Sequence, residues 1–303
     1  MITAALRQNV TATWGEEGAR WLERLPETLS EISALWDLVP GEPFDLSYHY
    51  VAPATLADGT PAVLKLGVPS AGSLAEEAPA LTAFAGRGAV RLLRADLPRG
   101  ALLLERALPG RRARDVPEPA ATSAAVAVMR VLHVPSPPVL PDVLVQARAF
   151  DAYLARFPDA DGPLPHAHVT TAAGLMRELC ASSPSRVLLH GDLHHDNILE
   201  ASRSPWLAID PHGLTGDPAY EIGSWLFNPT PANRDPSLTA LVPSRLEQFA
   251  AELGYPLERL VAWGFVKSVL SDVWTAESWV RGATWSPVSR AHDVASLLLA
   301  QLP

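Results

Sequence analysis

One cysteine, two lysines and no apolar run of membrane-spanning length are what this 303-residue sequence has least of. Cys180 alone cannot close an internal disulfide and has no cysteine neighbours for a zinc site, so a reducing cytoplasm is the expected compartment. No stretch approaches the ~18 apolar residues that a membrane span needs. The first residues, MITAALRQNV, show neither the basic start nor the apolar core of a signal peptide, and a soluble intracellular protein is expected. Clustered basic charge is also missing: the net charge is -9, which argues against nucleic acid and anionic membranes as partners. A neutral or cationic small-molecule substrate fits better, with a monomer or weak dimer as the assembly. Of the 24 basic residues only Lys65 and Lys267 are lysines, so each invites a reason.

What is present is a packed globular composition, 48% hydrophobic with nine tryptophans. The length suits two lobes, because single cores stop growing near roughly 250 to 300 residues. Apolar spacing predicts one or two amphipathic helices over 14–38. Tyr50-Val51-Ala52 and Ala62 to Leu66 read as a β-hairpin turning through Asp58-Gly59. A helix is expected over 73–86, with Pro79 as a possible kink, and a second strand pair over 89–93 and 101–105. Arg106 to Pro119, rich in Pro, Gly and Arg, is the expected connection. This divides the chain into an N-terminal lobe over 1–106 and a helical C-terminal lobe over 107–303. Helices are expected there over 120–133, 142–157, 168–182, 243–254, 257–280 and 288–301, with strands only at 186–189 and 206–209.

Val187-Leu188-Leu189-His190-Gly191-Asp192-Leu193-His194-His195-Asp196-Asn197 is the most informative stretch, followed by Trp206-Leu207-Ala208-Ile209-Asp210-Pro211. Apolar residues before each polar cluster place Asp192 and Asp210 where strands end. Phosphoryl transfer needs a group to accept the attacking hydroxyl's proton and oxygen ligands for Mg2+. His190-x-Asp192-Leu193-x-x-x-Asn197 matches the kinase catalytic-loop pattern, with Gly191 where protein kinases carry Arg. Asp192 is then the base, Asn197 a metal ligand, and Asp210 the carboxylate joining metal to phosphates. Ala62-Val63-Leu64-Lys65 resembles the strand whose lysine meets nucleotide phosphates and a helix glutamate, here Glu77 with Glu76 as fallback. Leu102 to Arg106, including Glu105, leads into a hinge whose backbone can bond an adenine edge.

These motifs, with Gly216-Asp217-Pro218-Ala219-Tyr220-Glu221, resemble the aminoglycoside and hydroxyurea phosphotransferase family over about residues 40–300, most specifically at 189–221. The resemblance implies a two-lobed α+β protein-kinase-like fold, with a small antiparallel sheet followed by a mostly helical lobe. It also implies ATP as donor, with GTP left open, Mg2+, and phosphorylation of a streptomycin-like aminoglycoside or hydroxyurea as a resistance function. Two departures stand out, a loop without glycine and Gly191 in place of the protein-kinase Arg, the second of which agrees with the small-molecule family. Leu46-Ser47-Tyr48-His49-Tyr50, where the nucleotide-covering loop belongs, has no glycine. Only seven residues separate Asp210 from Asp217, too few for a long activation segment.

Other readings stay open. The acceptor could be another metabolite or a macrolide, and the chain could be a non-catalytic nucleotide- or ligand-binding module. His190, His194 and His195 invite a zinc reading, although His190 is expected under the loop and His194 or His195 beside substrate. Asp217 and Glu221 could touch substrate, but a carboxylate at a helix start more often caps and braces. Asp272, Trp274, Glu277 and Trp279 could form an acidic, aromatic wall for a cationic sugar, or simply alternate between core and solvent.

Overall fold

The computed structural model describes residues 2–69, 72–229, 236–280, 286 and 288–302. Helix α1 (Ala4–Trp36) starts earlier than the sequence predicts, capped by Thr3 Oγ1, which accepts the Leu6 N–H at 3.2 Å. It breaks at Gly15 (φ 53°), bringing Val10 against Gly18. Leu6 and Val10 are fully buried, so the extra turns have a core to join.

Strands β1 (Leu38–Pro40), β2 (Tyr50–Leu56), β3 (Pro61–Leu66), β4 (Leu92–Asp96) and β5 (Ala101–Glu105) form an antiparallel sheet in the order β1-β2-β3-β5-β4. Helix α2 (Ser73–Phe84) lies between β3 and β4 in sequence and continues through Pro79. The strand expected over 89–93 is displaced. Ala89 instead bridges Ala208, with Val90 N–H donating to the Ala208 carbonyl at 2.9 Å and Ala208 N–H to the Gly88 carbonyl at 2.7 Å. The backbone there is taken by the second half of the molecule before β4 begins.

Alternation along the strands gives the sheet two buried faces. Ala62, Leu64, Leu66, Ala101 and Leu103 join α1 in one core. Leu102 and Leu104 join Leu74, Leu81 and Phe84 of α2 in the larger core, which continues through the helical half.

The predicted connection is more structured than expected. Its β6 (Pro109–Arg112) pairs with β8 (Ile198–Ala201), which pairs with β9 (Trp206–Ala208). A second ribbon joins β7 (Val187–Leu189) to β10 (Leu214–Gly216). The expectation of two strands in this half is thus corrected: β6, β8 and β10 are too short to show periodicity. Around the ribbons pack α3 (Glu118–Leu132), α4 (Ala147–Arg156), α5 (His166–Ala181), α6 (Ile222–Leu226), α7 (Pro236–Thr239), α8 (Val242–Leu253), α9 (Leu257–Val280) and α10 (Arg290–Leu299). Among the described residues no helix is long and apolar enough to cross a membrane.

Candidate active site

Strand register decides where Lys65 points. It pairs with Leu102, and Val63 with Leu104, so it shares their face, toward α2. There Lys65, 4% exposed, donates to Glu77 Oε2 at 2.5 Å and to Asp210 Oδ1 at 2.5 Å. The buried Glu77, not the exposed Glu76, meets the lysine. Burial works against the ammonium charge, but Asp210 and Glu77 outweigh it and raise Lys65 above its ordinary pKa. Burial likewise opposes ionisation of Asp210, and the nearby Lys65 more than reverses this.

Asp210 follows β9 by two residues and has φ 63°, a left-handed conformation that aspartate tolerates better than most residues. The catalytic-loop segment follows β7 directly. Gly191 has φ 88°, and a Cβ there would lie 3.1 Å from His212 Cβ, which explains why this position carries no larger side chain. His190 donates from Nε2 to the Ile209 carbonyl at 2.8 Å and accepts the Asp192 N–H at Nδ1 at 3.3 Å, a network that assigns a neutral ring. Burial agrees, lowering His190 to about 4.

The Asp192 carboxylate receives Ser224 Oγ–H at 2.8 Å on one oxygen, with His194 Nε2 at 3.5 Å from the other. Burial opposes its charge, yet His194, with Lys267 and His212 farther off, holds the carboxyl well below the usual range. Asn197 Nδ2 donates to the Asp192 carbonyl at 3.0 Å, and the Ile209 N–H donates to the Asn197 carbonyl at 2.9 Å. The loop carrying Asp192 and Asn197 and the strand end carrying Asp210 are therefore one hydrogen-bonded unit.

Divalent metal and nucleotide fit this donor set. With its amide nitrogen spent on the Asp192 carbonyl, Asn197 has its side-chain oxygen left as a donor atom, and Asp210 adds a half-exposed carboxylate (51%). Among the described residues no three His, Cys, Asp or Glu side chains gather into a cage. Two hard oxygen ligands, completed by phosphate and water, are the usual manner of holding Mg2+.

Several residues considered for substrate contact are buried in bracing contacts, the role expected for Asp217 and Glu221. Glu221, 2% exposed, accepts both the His190 and Gly191 N–H groups. Asp217 caps Ala219 N at 3.0 Å and receives Arg259 Nε at 2.6 Å and Trp263 Nε1 at 2.8 Å. His195 stacks on Trp225 at 3.6 Å between ring centres, beside the Arg245–Glu118 pair. Asp272 accepts Ser289 Oγ–H at 2.8 Å and so holds the N-cap residue of α10, whose Oγ accepts the Ala291 N–H. Each of these carboxylates satisfies a loop or helix end first. Of the remaining wall, Trp274 lies over Lys267, Trp279 is exposed, and Glu277 lines a cavity of about 250 Å3 with Tyr153, Arg156, Phe157, Ala152 and Val280.

The Glu105 carboxylate is also taken. It accepts the Arg91 N–H at 2.9 Å and Arg203 Nε at 2.7 Å, while Arg203 also reaches the Gly86 and Ala89 carbonyls. Any contact of this segment with a base is left to its backbone. The glycine-free loop extends the β1–β2 hairpin, with Gly41 N–H on Pro53 O and Phe44 N–H on Val51 O. Its tip is tied down by Asn9 Nδ2 on Ser47 O at 3.2 Å and by His49 Nε2 at 3.0 Å from Ser73 Oγ. Residue spacing did not single out Ser224, Arg203 or Tyr220. Lys267 carried a signal in its rarity alone.

An antiparallel sheet with α2 behind its lysine strand, followed by a helical half that carries the paired aspartates, defines a small-molecule kinase. The fold matches choline kinase LicA from Streptococcus pneumoniae with a TM-score of 0.63, at 11% identity, over 92% of this chain and 98% of that one. The chain belongs to the aminoglycoside/hydroxyurea antibiotic resistance kinase family, whose sequence pattern matches residues 36–278. It is 36% identical to hydroxyurea phosphotransferase from Kitasatospora aureofaciens over 87% of this chain and 76% of the relative. It is 31% identical to streptomycin 6-kinase from Streptomyces glaucescens over 99% and 96%. Kinases of this kind draw on ATP and a divalent metal.

Proposed function

We propose that this chain transfers the γ-phosphoryl group of ATP to a hydroxyl of a streptomycin-like aminoglycoside or of hydroxyurea in the cytoplasm, and so confers resistance. The observation that carries the reading is the meeting of Lys65 with Asp210 at 2.5 Å, beside a loop in which Asn197 is bonded to Asp192. Mg2+ on Asn197 and Asp210 would supply charge neutralisation at the phosphates. Lys65, anchored by Glu77, orients the phosphates. Asp192, steadied by Ser224 and His194, aligns the acceptor hydroxyl and takes its proton as the new O–P bond forms and ADP leaves.

The test is ATP consumption with streptomycin, other aminoglycosides, hydroxyurea and macrolides as acceptors. Asp192→Asn should keep the fold and the thermal shift given by ATP and Mg2+, while turnover falls by about 10²- to 10⁴-fold. Turnover near that of the wild type in this variant removes Asp192 from the mechanism.

A further inference from the structure

Lys267 lies on α9 and is 1% exposed. Its ammonium donates to the Gly191 carbonyl at 2.7 Å and to the Tyr220 hydroxyl at 2.7 Å, and it sits over the Tyr220 ring at 4.6 Å and the Trp274 ring at 5.3 Å. Tyr220 in turn donates to Gln146 Oε1. On the other side of the same residue, Glu221 accepts the Gly191 N–H. The backbone immediately before Asp192 is therefore held from both ends of one residue, its N–H by a carboxylate and its C=O by an ammonium.

The contact also accounts for a lysine in a chain that otherwise uses arginine. At Gly223 of α6 a Cβ would lie 2.4 Å from Lys267 Cβ and 2.7 Å from its Cγ. The two helices meet with the lysine stem filling the seam. A guanidinium is broader than an ammonium and needs more acceptors than one carbonyl and one phenol. A slim stem with a terminal donor reaches Gly191 by this route.

We propose that Lys267 is a positioning residue of the phosphoryl transfer: by holding the Gly191 carbonyl it fixes the backbone from which Asp192 meets the acceptor. The inference rests on Asp192 being the base. Misplacement of a catalytic group by about 1 Å can lower turnover by about 10²-fold. Lys267→Met keeps the stem and removes the donor, whereas Lys267→Gln keeps a neutral donor.

The experiment measures kcat, KM for ATP and thermal midpoint for wild type, Asp192→Asn, Lys267→Met and Lys267→Gln, with kcat counted per ATP-binding site. Lys267→Met is expected to lose about 10²-fold in kcat with KM for ATP unchanged. Lys267→Gln should recover part of that loss at a thermal midpoint like that of the Met variant. A merely structural lysine would give equal kcat in both, and that result overturns the proposal. If Lys267→Met does not fold, Lys267→Gln alone decides: a fall in kcat at constant KM supports the proposal, and unchanged kcat overturns it. Loss of turnover in Asp192→Asn alongside full turnover in Lys267→Met refutes this inference alone, whereas full turnover in Asp192→Asn refutes the reading beneath it.

Discussion

Lys65 and Lys267 are both buried and both close to acids, yet they are held in different ways. Lys65 bonds two carboxylates directly, and one of them, Asp210, has a side chain 51% exposed. An arriving phosphate or cation can redistribute those contacts. Lys267 ends on a backbone carbonyl and a phenol, neutral groups with nothing to exchange. On the proposed reading, the charge in one region serves a ligand, and in the other it is spent on the shape of a loop.

Substitution should separate the two regions most strongly through their kinetics. Lys65→Met is expected to lower kcat/KM for ATP by about 10²- to 10³-fold, the scale of one charge-stabilising donor, with a clear rise in KM. Lys267→Met leaves KM in place, as argued above, so the same division between kcat and KM in both variants would break the comparison.

Gly223→Ala is a milder probe that touches only the Lys267 side. Its new methyl meets Lys267 Cβ at 2.4 Å, and such overpacking costs about 1 to 3 kcal/mol. A lower unfolding midpoint is expected, with ATP affinity intact.

Acid gives the smallest separation. Burial lowers His190, His195 and His133 from 6.5 to about 4. Groups depressed in this way take up protons more readily when unfolded. Their contribution to stability is therefore complete above about 6.5 and is lost as pH falls through 6.5 toward 4. The loop resting on His190 should weaken in this range while Asp210, held below its ordinary value by Lys65, keeps its pairing. Between about pH 7 and about pH 5 the unfolding midpoint of His133→Leu should hold up better than that of the wild type, because one depressed ring has been removed. Glu77 and Glu221, which burial raises to about 7, act in the opposite sense over the same range, so equal slopes in wild type and His133→Leu would contradict the neutral assignment of that ring.

The parts of this architecture that could be read from sequence were those with a long period or a fixed spacing. Helices α3, α5, α8 and α9 announced themselves by apolar repeats, Asp192 and Asp210 by their places after strand-like runs, Asn197 by its spacing from Asp192, and Lys65 by the strand that holds it. Three-residue ribbons such as β10 carry no period, and β6 was hidden among the Pro, Gly and Arg of its segment. Asp217, Glu221 and Asp272 were ambiguous because sequence gives a carboxylate's chemistry but not the N–H groups it will meet. Ser224 was invisible because α6 is placed under Asp192 only by its packing on α9.

The larger core does not stop where the sheet stops. Leu102 and Leu104 from β5, with Leu81 and Phe84 from α2, are covered by the same cluster that contains Val128, Met129 and Leu132 of α3. The expected boundary at residue 106 separates strand pairings, since β5 ends at Glu105 and β6 belongs to another sheet, but it does not separate the apolar interior. A fragment cut there would expose those side chains to water and have no partner of its own to bury them. The sheet half and the helical half are thus not interchangeable cassettes, and a chimera that swaps one must carry the facing surface of α3 with it.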